Sequence, residues 1–189
     1  MNINNPQSDN LEKVITNAGK IALKFGGNQV GTEHILYGLT SVKECMASKI
    51  LSEFGVTEKS LLDVFEESAD TQSIFGIDVE LTPRSKEIIA MAKQVAIELG
   101  HSFVGTEHLL FALLSSTGSF AVRLLQSYYR VNITEIKTKV LNVLQSANTQ
   151  NDSSQDGSGE KSELPEKLLE MGSDITLKAR QGKIDPIIG

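Results

Sequence analysis

Val30-Gly31-Thr32-Glu33-His34 returns as Val104-Gly105-Thr106-Glu107-His108, an offset of 74 residues. The correspondence extends in both directions from these five positions. Downstream, Leu36 matches Leu110, Leu39 matches Leu113, Ala47 matches Ala121 and Leu51 matches Leu125. Upstream, Val14 matches Ile88, Ala18 matches Ala92, Ala22 matches Ala96 and Gly26 matches Gly100. A constant offset over this length is the signature of a duplicated structural unit. The fold therefore rests on what one unit is.

Each unit reads as helices. In the first, Ser8 opens a helix as N-cap, and Leu11, Val14, Ile15, Ala18, Ile21, Ala22 and Phe25 follow helical spacing along one stripe. Gly26-Gly27-Asn28 stops it. Thr32 is expected to cap a second helix carrying Ile35, Leu36 and Leu39, a third holds Met46, Ile50 and Leu51, and Thr57 caps a fourth. In the second unit Thr82-Pro83 is a helix start with Pro at the first helical position, and the same four-helix pattern follows. No segment alternates at period two over strand length. The expectation is an all-α fold of two four-helix repeats, about residues 8–70 and 82–147, within one domain over 1–148. A single repeat is too small to bury its apolar face alone, so the two are expected to pack together with pseudo-twofold symmetry.

Composition changes after the second repeat. Residues 149–163 are polar and rich in Asn, Gln, Ser, Asp and Gly, as expected of a flexible linker. Residues 164–189 regain apolar positions but hold no core of their own, and they resemble the first strip of a further domain.

The charge and residue content bound the function. Net charge is −6 with a pI near 5.1, which argues against nucleic-acid binding and leaves room for cationic ligands. Cys45 is the single cysteine, so no internal disulfide forms and a reducing, cytoplasmic compartment is expected. No signal peptide or membrane-spanning run is read from the sequence. The H-E-x-x-H spacing of a zinc site is absent, and no metal ligand set is expected. Neighbouring residues on a helix point about 100° apart, so Glu33 with His34, and Glu107 with His108, do not converge as acid–base pairs. No catalytic residue is assigned, and a hydrolase built on those pairs is disfavoured. The histidines and Cys45 are expected to be structural.

The repeated turn has two readings. In the first, Gly31 and Gly105 allow a tight turn, Thr32 and Thr106 cap the next helix, and Glu33 and Glu107 favourably occupy its first turn. In the second, a long-helix start, at Ser8 or Thr82, lies beside each turn. Such a pocket offers a carboxylate to a cation, and a hydroxyl and free amides to a phosphate. The expected lining is Val30, Gly31, Thr32, Glu33 and Ser8 in one copy and Val104, Gly105, Thr106, Glu107 and Thr82 in the other. On that pairing Asp9 weakens the first pocket by repelling a phosphate, and the Glu107 pocket is the stronger.

The two Val-Gly-Thr-Glu-His blocks, the Leu81-Thr82-Pro83-Arg84 start and Gly100-His101-Ser102-Phe103 before the second block resemble the Clp N-terminal domain, most of all the ClpC type. Asp174-Ile175-Thr176 and Ala179 to Gly189 are similar to that family's entry into its first AAA+ module. The resemblance implies a receptor for protein substrates and for MecA-like adaptors, feeding a ring-forming hexameric unfoldase that works with ClpP. It also implies binding of arginine-phosphorylated proteins, with Glu33 and Glu107 holding the guanidinium and Ser8 and Thr82 at the family's helix-start position. ATP and Mg belong to the full-length protein. The chain reaches Gly189 before any Walker A motif, so this portion is expected to be a cofactor-free, monomeric, non-enzymatic domain. The rival reading is a self-association or scaffolding domain using its helices only for packing.

Overall fold

The computed structural model describes residues 7–68 and 79–149. Among them are eight helices in two matched sets. The first repeat holds α1 (Asp9–Lys24), α2 (Thr32–Ser41), α3 (Met46–Glu53) and α4 (Glu58–Ser68). The second holds α5 (Pro83–Glu98), α6 (Thr106–Ser115), α7 (Phe120–Ser127) and α8 (Ile133–Thr149). The first three helices of each set begin 74 residues apart and match in length, at 16, 10 and 8 residues. The all-α class stands. The expected linker and the start of a further module lie outside the described residues, as does most of the connector between the repeats.

Local chemistry explains the helix boundaries. The Ser8 hydroxyl accepts from Leu11 N–H at 3.3 Å and the Thr82 hydroxyl from Ser85 N–H at 3.2 Å, each satisfying a first-turn donor. Helices α1, α3 and α5 run out at Gly26, Gly55 and Gly100, with φ of 77°, 76° and 69° respectively, which only glycine adopts without strain. Cys45 is more than filler. Its thiol accepts from Ser48 N–H at 3.4 Å as the N-cap of α3, where Ser119, its match in repeat two, caps α7 by accepting from Val122 N–H at 3.3 Å.

The core is aliphatic. Leu11, Val14, Ala18 and Ile21 of α1 face Ile35, Leu36 and Leu39 of α2, and Ile88, Ala92 and Val95 of α5 face the matching stripe of α6. Helix α6 is the centre: every residue from Thr106 to Ser115 except Glu107 is buried. It touches α1 and α3 of the other repeat as well as α5, α7 and α8 of its own. The repeats therefore share one core. Tyr129 Oη, donating to Ser60 Oγ at 3.0 Å, and a Lys139–Glu53 ion pair tie them again at the edge.

Two short parallel pairings sit between the repeats, shorter than sequence alternation can reveal. β1 (Gln29–Val30) pairs with β2 (Glu80–Leu81), in register Gln29 to Glu80 and Val30 to Leu81. Gln7 pairs with Val104 in an isolated bridge. Shifted by the repeat offset, the Val30–Leu81 pairing becomes the Gln7–Val104 pairing, so these contacts are pseudo-twofold mates. Both join a strand of one repeat to a strand of the other. Among the described residues no single helix is long and apolar enough to cross a membrane.

Candidate functional site

The crossed strands decide which groups share a site. Thr82 N–H donates to Val30 C=O at 3.1 Å, and Ser8 N–H donates to Val104 C=O at 3.1 Å. The start of α5 therefore lies on the turn that leads to Glu33, and the start of α1 on the turn that leads to Glu107. The pairing within each repeat, Ser8 with Glu33 and Thr82 with Glu107, is corrected: each site takes its hydroxyl from one copy and its carboxylate from the other. A sequence offset identifies equivalent positions, but it does not say which equivalent lies near which.

Glycine has a different role from the one expected. Gly31 and Gly105 have φ of −82° and −98°, open to any residue, so neither is needed for a tight turn. They are the N-caps of α2 and α6, and Thr32 and Thr106 are the first helical residues rather than caps. The reason for glycine is the carboxylate. A Cβ on Gly31 would overlap the Glu33 carboxylate, and one on Gly105 would overlap that of Glu107. Each Glu curls back over the glycine of its own turn and is seated there.

The histidines are the capping partners. Gly31 N–H donates to His34 Nδ1 at 2.9 Å and Gly105 N–H to His108 Nδ1 at 3.0 Å, the reciprocal half of a capping box. A ring nitrogen that accepts carries no proton, so each ring is held as the Nε2–H tautomer. The 3.3 and 3.4 Å approaches of Glu33 and Glu107 to these same Nδ1 atoms are accordingly not ion pairs in this state. Burial lowers the pKa of His34 against the opposing pull of Glu33. In repeat two His108 Nε2 lies 2.7 Å from His101 Nδ1, which the tautomer makes a donor–acceptor contact. Gly27 stands at the matching position in repeat one.

Thr32 and Thr106 hold the carboxylates from the side, their hydroxyls donating to Glu33 Oε2 at 3.4 Å and Glu107 Oε2 at 3.3 Å. Burial opposes the charge on Glu107. The His108 ring, the residue's own backbone N–H and the Thr106 hydroxyl outweigh it, so the carboxyl titrates below its ordinary range. With His108 Nδ1 already accepting from Gly105 N–H, the groups that donate to the carboxylate are the backbone N–H and the Thr106 hydroxyl. About a fifth of each glutamate side chain remains exposed, at 22% for Glu33 and 21% for Glu107, so both stay within reach of a ligand.

The surroundings of the two sites differ in charge. The helix start beside Glu33 reads Thr82-Pro83-Arg84-Ser85-Lys86, and the one beside Glu107 reads Ser8-Asp9-Asn10-Leu11-Glu12. Asp9 therefore sits with Glu107, not with Glu33. Ser85, absent from the sequence reading, stiffens the first of these: its hydroxyl donates to Val30 C=O at 2.7 Å and lies 2.8 Å from Thr82 Oγ1. The signal for it was a hydroxyl three residues into a Thr-capped helix. Leu11 at the matching place has none. Among the described residues, no group of three or more His, Cys, Asp or Glu side chains is placed to hold a metal ion.

Residues 7–76 and 80–176 match the family described as "Clp repeat (R) N-terminal domain". The chain is 32% identical to the chaperone protein ClpB of Oceanobacillus iheyensis, covering 96% of this chain and 22% of that one. It is 30% identical to the ATP-dependent Clp protease ATP-binding subunit ClpC of Staphylococcus aureus, with the same coverages, 96% and 22%. It thus spans about a fifth of the length of these relatives. In structure it resembles the N-terminal domain of the chaperone ClpD from Arabidopsis thaliana, with a TM-score of 0.62, 18% identity, and coverage of 77% of this chain and 97% of that. It also resembles the ClpV N-domain solved in complex with a VipB peptide, with a TM-score of 0.56, 14% identity, and coverage of 76% and 89%.

Proposed function

Because the chain belongs to the Clp repeat N-terminal domain family, we propose that it is the substrate- and adaptor-receiving domain of an ATP-dependent Clp unfoldase, and that it binds arginine-phosphorylated protein segments. The observation that carries the ligand is the pairing of Thr82 with Glu33 across the repeats, with Arg84 on the same helix start. A phosphoguanidinium group bears a cation and an anion a few ångströms apart. The seated Glu33 carboxylate suits the guanidinium, and a charge-assisted hydrogen bond of this kind is worth about 1.5–3 kcal/mol. The Thr82 hydroxyl, the Arg84 N–H and the basic Arg84 side chain, which pairs with the exposed Glu87 at 3.7 Å, suit the phosphate; Pro83 has no N–H to offer, and Ser85 N–H already donates to Thr82 Oγ1.

The Glu107 site is the weaker phosphate receptor in this reading, because Asp9 places a like charge at its helix start. Protein partners are supported by the VipB peptide on the similar ClpV N-domain. MecA-like adaptors, and ClpP with ATP and Mg in a hexameric full-length protein of the cytoplasm, follow from the ClpC resemblance and belong to the same proposal.

Calorimetry with free phosphoarginine tests it. The parent is expected to bind, with Glu33→Gln weakening the affinity about ten- to hundredfold and Glu107→Gln weakening it less. A parent that binds no phosphoarginine at millimolar concentration overturns the ligand assignment. A loss confined to Glu107→Gln overturns the ranking of the sites.

A further inference from the structure

Resting on the Glu33–Thr82 reading, we propose that Phe120 is the specificity-determining wall of that site, and that its ligand is a peptide carrying an apolar side chain next to the modified arginine. The first observation is position. Ala121 N–H donates to Thr32 Oγ1 at 3.1 Å, which fastens the start of α7 from repeat two onto the Thr32-Glu33 turn of repeat one. Phe120 and Glu33 are the immediate chain neighbours of the two residues in that bond, each one Cα step of about 3.8 Å away.

The second observation is exposure. Phe120 opens α7 with 52% of its surface exposed, although the rest of that turn, Ser119, Ala121 and Val122, is buried. Its match in repeat one, Met46, opens α3 and is 41% exposed. Phe103, 54% exposed, directly precedes Val104 at the other site. Of the five large apolar side chains that the described surface exposes, Phe120 and Phe103 thus adjoin, along the chain, residues bonded to or belonging to the two carboxylate turns. Single exposed apolar residues are ordinary, but an exposed apolar residue opens the third helix of both repeats, at Phe120 and Met46, which packing alone does not require.

The third observation is chemical. The Arg123 guanidinium lies over the Phe120 ring at 5.7 Å from its centroid, so the chain itself covers one face of the ring and the exposed remainder is left to an apolar neighbour. Lys49 stands at the matching position one turn after Met46. A seated carboxylate, a helix-start hydroxyl and an exposed aromatic ring together select a peptide over a free amino acid: the polar groups read the charged side chain, and the ring reads its neighbour. The charge complementarity lies in Glu33, and the apolar surface in Phe120.

Fluorescence anisotropy tests this with two arginine-phosphorylated hexapeptides, one with Leu and one with Gly after the modified residue. The parent is expected to prefer the Leu peptide about tenfold, the gain from covering one such side chain. Phe120→Ala should erase the preference and Phe120→Met should retain most of it. A parent that binds both peptides alike overturns the proposal, as does a preference that survives Phe120→Ala. If Glu33→Gln changes no affinity while the Phe120-dependent preference persists, the ligand reading of Glu33 fails and the apolar wall stands. If Glu33→Gln weakens both peptides and Phe120→Ala changes neither, the reverse holds.

Discussion

Thr82 donates its backbone N–H to the carbonyl of Val30 at 3.1 Å, across a sequence separation of 52 residues, and so assigns the α5 start to the Glu33 turn. If the two form one site, their side chains should be energetically coupled in ligand binding. A double-mutant cycle of Thr82→Ala and Glu33→Gln on phosphoarginine affinity is expected to be non-additive by about 0.5–3 kcal/mol, while Thr82→Ala with Glu107→Gln adds within about 0.5 kcal/mol. Coupling to Glu107 instead would restore the pairing within one repeat.

Gly31→Ala separates seat from fold. Its backbone, with φ of −82° and ψ of 177°, suits alanine, but the new Cβ takes the place of the Glu33 carboxylate, the far end of a flexible side chain. The substitution should weaken ligand binding about tenfold or more, yet shift the urea midpoint by less than about 0.5 kcal/mol of stability. A large loss of stability would mean that the turn itself demands glycine.

Gly38→Ala should do the opposite. A Cβ there overlaps the Val14 carbonyl oxygen, a backbone atom of α1 at the α1–α2 crossing, and the matching residue in repeat two is already Ala112. Overpacking of this kind typically costs about 1–3 kcal/mol, to be read by chemical denaturation. Unchanged stability would mean that α1 moves away from α2 at little cost.

Cys45 tests the capping assignment. Cys45→Ser should leave stability within about 0.5 kcal/mol, because the hydroxyl of Ser119 performs the same task in repeat two. Cys45→Ala should cost about 1 kcal/mol through the lost cap. Equal costs for the two substitutions would return Cys45 to a purely packing role.

Acid should weaken the first repeat through His34. Its folded pKa lies below the ordinary 6.5, so between the two values the unfolded chain binds more protons. The contribution of neutral His34 is complete above about pH 6.5 and is lost as pH falls through the folded pKa. His34→Gln keeps an acceptor for Gly31 N–H and does not titrate. Denaturation at pH 7.5 and 5.5 should therefore show a smaller acid loss for His34→Gln than for the parent. Equal losses would exclude His34 as the sensor.

The repeat, the helices and their caps at Ser8 and Thr82 were legible in the sequence, because each depends on groups within about one turn of each other. The duplication was equally plain, since an offset is a property of the string itself. The role of Gly31 was misread because a glycine in sequence suggests a backbone conformation, whereas its use here is to leave room for a carboxylate two residues on. The partnership of Thr82 with Glu33, and of Ser8 and Asp9 with Glu107, came only from tertiary structure. Two equivalent turns and two equivalent helix starts can pair within a repeat or across repeats with identical local chemistry. The choice is made by the hydrogen bonds from Thr82 to Val30 and from Ser8 to Val104, and by the burial of α6 against both repeats, neither of which leaves a periodic trace in the chain.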